Sequence, residues 1–218
     1  MDTPFRHVAL MVTLTFVTGV VDAGGYLGLD RVFVGNMTGN VVILGMGFAG
    51  ADGLPVLGPA LALITFIVGA GIAGLALRST PTGWSPRLTA VAGTSVTLVA
   101  VTAVLVGLTS AESASGIVAA AITACAMGMQ AAVARKVGVA DVTTVVVTST
   151  ITVWAVDLFA RPSRATILNR RSAAIAAILV GALVGALLVQ VALWLVFATA
   201  ALIGTVTIAI GQSLHQRA

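Results

Sequence analysis

Residues 56–77 read VLGPALALITFIVGAGIAGLAL, a run of 22 residues without one charged side chain. About 20 apolar residues in a helix cross a hydrocarbon core of about 30 Å. Residues 88–108 form a second uncharged run that is long enough to cross, and further apolar runs lie on both sides. The sequence therefore predicts an all-α polytopic membrane protein.

The composition agrees with a chain that lies almost wholly in the bilayer. Of the 218 residues, 59% are hydrophobic and 8% are charged, and the mean hydropathy is +1.12. Soluble domains carry about 25% charged residues, so we expect one membrane domain over residues 1–218, with the lipid bilayer as its main partner. The net charge of +4 comes from basic residues scattered over loops with no aromatic platform, which argues against a nucleic-acid partner. The single Cys125 excludes a disulfide within the chain.

Eight apolar segments follow one another along the chain. The first carries Arg6 before its apolar run but no clean small-x-small cleavage site, which favours a retained helix over a signal peptide. The last two together are too long for one helix across the membrane, so a turn is expected near Gln190–Trp194. The segments are 8–28, 32–49, 56–77, 88–109, 116–134, 142–159, 173–191 and 193–211.

Two of these segments carry an unusual number of polar side chains. Segment 32–49 contains Asn36, Thr38 and Asn40 in its first half, and segment 142–159 is rich in threonine near its start. An unpaired polar group is costly in lipid because no water is present to bond it. Both segments are therefore expected to pack against other helices or to line a polar cavity.

The two halves of the chain resemble each other at matching positions. The order of the matches is the same in both halves, and the separation between equivalent positions drifts from 109 to 112 residues. We therefore predict an internal duplication, with halves at about residues 7–110 and 116–212. The matching stretches are Gly19–Ala23 with Gly128–Ala132, Thr38–Asn40 with Thr148–Thr150, and Gly69–Ala70 with Gly181–Ala182.

The basic residues choose between two topologies. If all eight segments span the membrane, six basic residues lie inside and five outside. If segments 32–49 and 142–159 instead enter and return on the same side, ten lie inside and only Arg31 lies outside, as the positive-inside rule expects. We therefore predict six transmembrane helices plus two re-entrant segments in an inverted 3+3 repeat, with both termini cytoplasmic. The alternative is seven or eight spanning helices.

Asp22 is the most informative side chain. It lies well inside the first segment, with no basic residue within one helical turn. An intramembrane carboxylate costs roughly 2.5–3.5 kcal/mol on insertion scales, which makes a functional role the default interpretation. Asp22 is therefore a candidate for a polar pocket or a proton-coupling site. The alternative is a position near the external end of the helix, where Gly24 and Gly25 loosen the backbone and water reaches the carboxylate.

Other polar residues are candidates for a substrate site at the midplane. Asn36, Thr38 and Asn40 would face the midplane if the first re-entrant segment is a broken helix. The alternative is that they only bond neighbouring helices. Gln130 is a weaker candidate that would face inward from the fifth segment. The second half would supply a matching wall from Thr144, Thr148 and Thr150.

The sequence contains little that suggests an enzyme. Both histidines, His7 and His215, lie near the termini, and Cys125 is the only cysteine. No metal cluster or nucleophile–base pair can be assembled from these residues, so we expect no metal, no cofactor and no enzymatic activity. Residues 69–74 match GxGxxG, but they lie within an apolar segment with no strand before them and are interpreted as a helix-packing face.

Several motifs resemble the YoaK-like family of small bacterial inner-membrane proteins, catalogued as a domain of unknown function. The similar stretches are Asp22–Tyr26, Phe33–Asn40, Ala126–Gln130 and Thr143–Thr152, so the resemblance covers nearly the whole chain. The family pattern has an Asn after the Gln and a Gly in the second Thr motif, where this chain has Ala131 and Ser149. The resemblance implies a bacterial plasma-membrane protein and no particular substrate.

These observations favour a small-solute transporter or channel, with its site between the two polar re-entrant segments. The alternative is a membrane scaffold or partner subunit that transports nothing, in which the polar motifs only hold helices together. The sequence does not identify the substrate or the coupling ion. It is compatible with a homo-oligomer but does not specify the oligomeric state.

Overall fold

The computed structural model describes residues 3–51, 53–109, 114–139 and 147–217. Within these ranges the chain forms helices joined by short loops and turns. The helices are α1 (Thr3–Gly28), α2 (Met37–Phe48), α3 (Leu57–Leu77), α4 (Pro86–Leu108), α5 (Ala114–Val137), α6 (Val147–Ala160), α7 (Arg164–Ile167), α8 (Arg170–Val191) and α9 (Leu193–Gln216).

Six of these helices are long and apolar enough to cross a membrane, namely α1, α3, α4, α5, α8 and α9. The predicted all-α membrane fold with six spanning helices is thus confirmed. The expected turn between the last two segments is a break at Ala192, whose backbone is extended. The two polar segments form the shorter helices α2, with 12 residues, and α6, with 14. At 1.5 Å per residue these helices measure about 18 and 21 Å, less than the hydrocarbon core.

Segment 32–49, which contains α2, begins and ends on the same side of the bundle. After α1 the chain reverses at Asp30 and Arg31, both with left-handed φ angles near 57°. Residues 32–36 then run back beside α1, and the N–H of Val34 reaches Asp22 two turns inside α1. Helix α2 returns from there, and Arg31 Nη1 donates a hydrogen bond to the Gly53 carbonyl beyond its end (3.1 Å). The first polar segment therefore enters and returns without crossing.

The spanning helices approach most closely at glycines in two pairs, α1 with α8 and α3 with α5. A β-carbon on any of these glycines would overlap a backbone carbonyl of the facing helix, so only glycine allows the approach. The contacts are Gly19 with Ile178 and Gly181 with Phe16 between α1 and α8, and Gly128 with Phe66 and Gly69 with Cys125 between α3 and α5.

The two crossings use equivalent positions. Phe16 and Gly19 lie 109 residues before Cys125 and Gly128, while Phe66 and Gly69 lie 112 residues before Ile178 and Gly181. These are the separations at which the two halves of the sequence match. Other helix contacts also come in matching pairs when α1, α2, α3 and α4 are compared with α5, α6, α8 and α9. Helix α4 packs on α5 as α9 packs on α1, and α2 packs on α3 as α6 packs on α8. Helices α4 and α9 pack on each other.

Ten of the eleven basic residues lie at one end of the bundle, which we call the basic end. The loop before α4 meets the end of α5 there, where the Gly83 N–H donates to the Lys136 carbonyl (3.1 Å). The starts of α1 and α8 and the end of α9 are at the same end. Asp157 of α6 pairs with Arg171 of α8, so this end of α6 also lies at the basic end. The four-residue spacing between Asp157 and Arg161 in the sequence suggests a different partner, Arg161.

Candidate functional site: a polar cluster and cavity at the start of helix α2

Asp22 of α1 binds the backbone that leads into α2. Its Oδ1 accepts hydrogen bonds from the N–H groups of Val34 (2.9 Å), Gly35 (2.7 Å) and Asn36 (3.3 Å). Only 8% of the residue is exposed. These three amides precede the helix and have no partner within it, so the carboxylate satisfies donors that would otherwise be unpaired in the membrane. Its Oδ2 accepts no hydrogen bond from the part of the chain that the structure describes.

Close packing brings the loop against α1. A β-carbon on Gly35 would lie 3.0 Å from Thr18 Cγ2 and 3.4 Å from Asp22 Oδ2. A β-carbon on Gly25 would lie 2.5 Å from the Val32 carbonyl. Glycine at both positions therefore lets residues 32–36 lie directly on α1 and keeps the three amides within reach of Asp22.

Asn40 holds the same loop from the α2 side. Its Oδ1 accepts from the Phe33 N–H (3.0 Å), and its Nδ2 donates to the Phe33 carbonyl (2.6 Å). Asn40 is fully buried. Asn36 caps the helix, since its side chain accepts from the Gly39 N–H (3.3 Å). Asp22 and Asn40 therefore bind the backbone of this chain in the described conformation.

Gln130 of α5 joins this cluster through a residue that sequence reasoning missed. Its Nε2 donates to Thr18 Oγ1 (3.1 Å) and to the Leu14 carbonyl (3.3 Å). Thr18 is fully buried and contacts the site occupied by Gly35. Thr18 and Asp22 are four residues apart, so they lie on one face of α1. That spacing is the signal that could have identified Thr18.

A cavity of about 850 Å³ opens on the first turn of α2. Asn36 and Thr38 line its deep end, and three basic side chains line it at the ends of α3 and α5. Along α3 the cavity extends from Phe66 to Arg78, which is about 18 Å at 1.5 Å per residue. It therefore covers more than half of a hydrocarbon core of about 30 Å, starting from the basic end.

The second-half candidates lie elsewhere in the described residues. Helix α6 packs on α7 and α8, whereas α2 packs on α3. Thr148 is exposed and Thr150 is buried, and Thr144 lies outside the residues that the structure describes. The structure thus brings together Asp22, Asn36, Thr38, Asn40 and Gln130, while the matching wall from the second half stays a prediction.

The six spanning helices and the polar re-entrant segment define a polytopic α-helical membrane protein. The chain belongs to the family described as "Protein of unknown function (DUF1275)", whose model matches residues 10–210. It is similar to the UPF0700 transmembrane protein YoaK of Bacillus subtilis (strain 168), with 31% identity over 186 residues that cover 82% of each chain. These findings confirm the resemblance seen in the motifs. No solved structure matches the chain.

Proposed function

We propose that this protein is a small-solute transporter or channel of the bacterial inner membrane. The observation that carries the proposal is the cavity of about 850 Å³ between the basic end and the polar first turn of α2. A cavity of this size fits a small molecule. Transporters place their sites where a broken helix ends near the bilayer midplane, and α2 begins in such a position.

The far side of the site is closed by apolar packing. Leu29, Val32 and Val34 are at most 2% exposed and lie between the cavity and the end that carries Arg31. In this arrangement Asn36 and Thr38 contact a solute, while Asp22 and Asn40 position the loop. A transport cycle then requires the loop to separate from α1, and protonation of Asp22 would weaken its hold on the three amides. This would couple solute movement to protons.

The proposed architecture includes an inverted repeat and cytoplasmic termini. The equivalent glycine crossings of α1 with α8 and of α3 with α5 support the repeat. The collection of ten basic residues at one end supports a cytoplasmic location for that end, because cytoplasmic loops carry an excess of Lys and Arg. Helix α6, with Thr144, Thr148 and Thr150 on or before it, would then supply the second half of the path.

One observation favours the alternative, a scaffold or partner subunit. The hydrogen bonds of Asp22 and Asn40 all go to the backbone of this chain. These side chains therefore contribute to stability whether or not a solute binds.

Swelling of proteoliposomes distinguishes the two functions. Purified protein is reconstituted, and entry of urea, glycerol, glycine and potassium acetate (with valinomycin) is followed by light scattering. We expect at least one solute to enter faster than into protein-free vesicles. Thr38→Trp fills the deep end of the cavity and should remove this entry. Val42→Trp is the matched control, because Val42 lies one turn further along the same helix, is 55% exposed and does not line the cavity.

Equal swelling of Thr38→Trp and wild-type vesicles would show that the solute does not pass through this cavity. Absence of entry for every solute, with folded protein in the vesicles, would favour the scaffold.

A further inference from the structure

The cavity at α2 is lined by three basic side chains, Arg78, Arg135 and Lys136. Arg78 follows α3, and the other two lie in the last turn of α5. None of the three has a carboxylate partner within the described part of the chain, and Lys136 is half-buried. An anchoring role in the headgroup region does not by itself explain why these three cations line the same cavity.

The acidic groups of the described residues do not neutralise this cavity. Asp157 pairs with Arg171, and Asp30 lies beside Arg31 at the opposite end. Asp22 lies behind Gly35, and its Oδ1 is already engaged by three N–H groups. The charged side chains that line the cavity are therefore all basic, and they lie at its mouth.

The deep end of the cavity adds hydrogen-bond donors to this positive wall. The N–H groups of Met37 and Thr38 have no acceptor in the described residues, and both residues line the cavity. The Asn36 side chain accepts a hydrogen bond from only one of the N–H groups in this turn, that of Gly39. An oxyanion that enters from the basic end thus meets the three cations first and the unpaired amides last.

We propose that the solute site selects small anions with a carboxylate or phosphate-type oxyanion, a substrate class that rests on the proposed function. The basic side chains at the mouth raise the local concentration of anions. The oxyanion then exchanges its water for charge-assisted hydrogen bonds from guanidinium and ammonium groups, which are the strong ones in proteins. The same chemistry is present in an anionic lipid headgroup, which the experiment separates from a free solute.

The test uses the full chain in a neutral detergent without anionic lipid. Thermal unfolding is measured with sodium phosphate, sodium succinate or glycerol, with sodium chloride added to keep the ionic strength constant. We expect at least one oxyanion to raise the unfolding temperature in a saturable way, because a ligand of the folded state stabilises it. Glycerol should give no saturable shift.

Variants locate the binding. Arg135→Gln combined with Lys136→Gln should weaken the apparent affinity at least about tenfold, since each charge-assisted bond contributes substantially to binding. Arg87→Gln is the matched control: Arg87 is an exposed cation at the same end, bonded to Ser79 (3.0 Å) and not part of the cavity wall. Equal weakening in the control would overturn the proposal.

The remaining outcomes separate this inference from the proposed function. Saturable stabilisation by phosphate without any solute entry into vesicles keeps the anion site and removes transport. Entry of glycerol and urea without any stabilisation by either oxyanion keeps transport and removes the anion class. Stabilisation by added phosphatidylglycerol but by neither free oxyanion would overturn the small-anion site in favour of a lipid headgroup.

Discussion

The two short helices α2 and α6 each pack on one spanning helix, but the residues that anchor the loop before α2 are replaced at the matching positions of the second half. Helix α2 packs on α3, as α6 packs on α8. The loop before α2 is held by the Asp22 carboxylate and the Asn40 amide. The positions 109 and 110 residues further on are Ala131, which has no carboxylate, and Thr150, which has a hydroxyl in place of the amide. The two short helices therefore pack alike as whole helices, while the residues at the positions of the two loop anchors are not the same.

The largest expected effect is a difference in the side of the membrane from which residues next to the two short helices can be labelled. Single cysteines at Ala51, Val139 and Ser163 are introduced into Cys125→Ala and treated with a membrane-impermeant thiol reagent in whole cells. Since both ends of segment 32–49 lie away from the basic end, we expect label at Ala51. Val139 and Ser163 should label only after permeabilisation. External label at Val139 combined with internal label at Ser163 would mean that α6 crosses the membrane and α2 does not.

Removal of the Asp22 carboxylate should destabilise the protein strongly. Asp22→Ala leaves three N–H groups without an acceptor, and we expect a loss of about 4 kcal/mol in the free energy of unfolding, because an unsatisfied buried group costs about 1–3 kcal/mol. The loss is measured by thermal or denaturant unfolding in detergent. Ala131→Ser, at the equivalent place in α5, should change stability by less than about 1 kcal/mol.

Asp22→Asn separates the positioning role of this residue from a proton-coupling role. Its amide oxygen still accepts from the loop, so the protein should remain folded, while the titratable group is lost. If Asp22 couples protons, solute uptake in this variant no longer depends on pH. Uptake with an unchanged pH profile would assign the residue to positioning alone.

The glycine crossings should respond alike in both halves. Gly69→Ala and Gly181→Ala each place a β-carbon on a facing backbone carbonyl, so the helices must separate. We expect each variant to lose about 3 kcal/mol, the upper part of the range for overpacking. Gly71→Ala is the control because nothing lies within 4 Å of its added carbon. Unequal losses at the two crossings would argue against equivalent packing of the halves.

The smallest expected effect compares the equivalent positions Asn40 and Thr150. Asn40→Ala leaves both backbone groups of Phe33 unpaired, and we expect a loss of about 2 kcal/mol. Thr150→Ala should cost about 1 kcal/mol, because a hydroxyl makes fewer bonds than an amide. Equal losses would mean that the second half contains a loop anchor comparable to that of the first.

Much of the fold was readable from the sequence because hydropathy and charge are properties of short stretches. The run at 56–77 predicts the spanning helix Leu57–Leu77, and the distribution of basic residues predicts which loops lie together at one end of the bundle. The same count of basic residues predicts that segment 32–49 does not cross. The separations of 109 and 112 residues already related Gly19 to Gly128 and Gly69 to Gly181, the positions of close approach.

The partners of the polar side chains could be identified only from the tertiary structure. Nothing local indicates that Asp22 binds the amides of Val34–Asn36, because this contact requires the chain to reverse after α1. The bond from Gln130 to Thr18 joins residues 112 positions apart, and the pairing of Asp157 with Arg171 depends on how α6 lies on α8. The cavity likewise forms from three helices at once. The sequence was sufficient to identify the segments that are long and apolar enough to span a bilayer, since that property depends on local transfer free energies. Hydrogen-bond partners depend on distances between atoms that only the folded chain brings together.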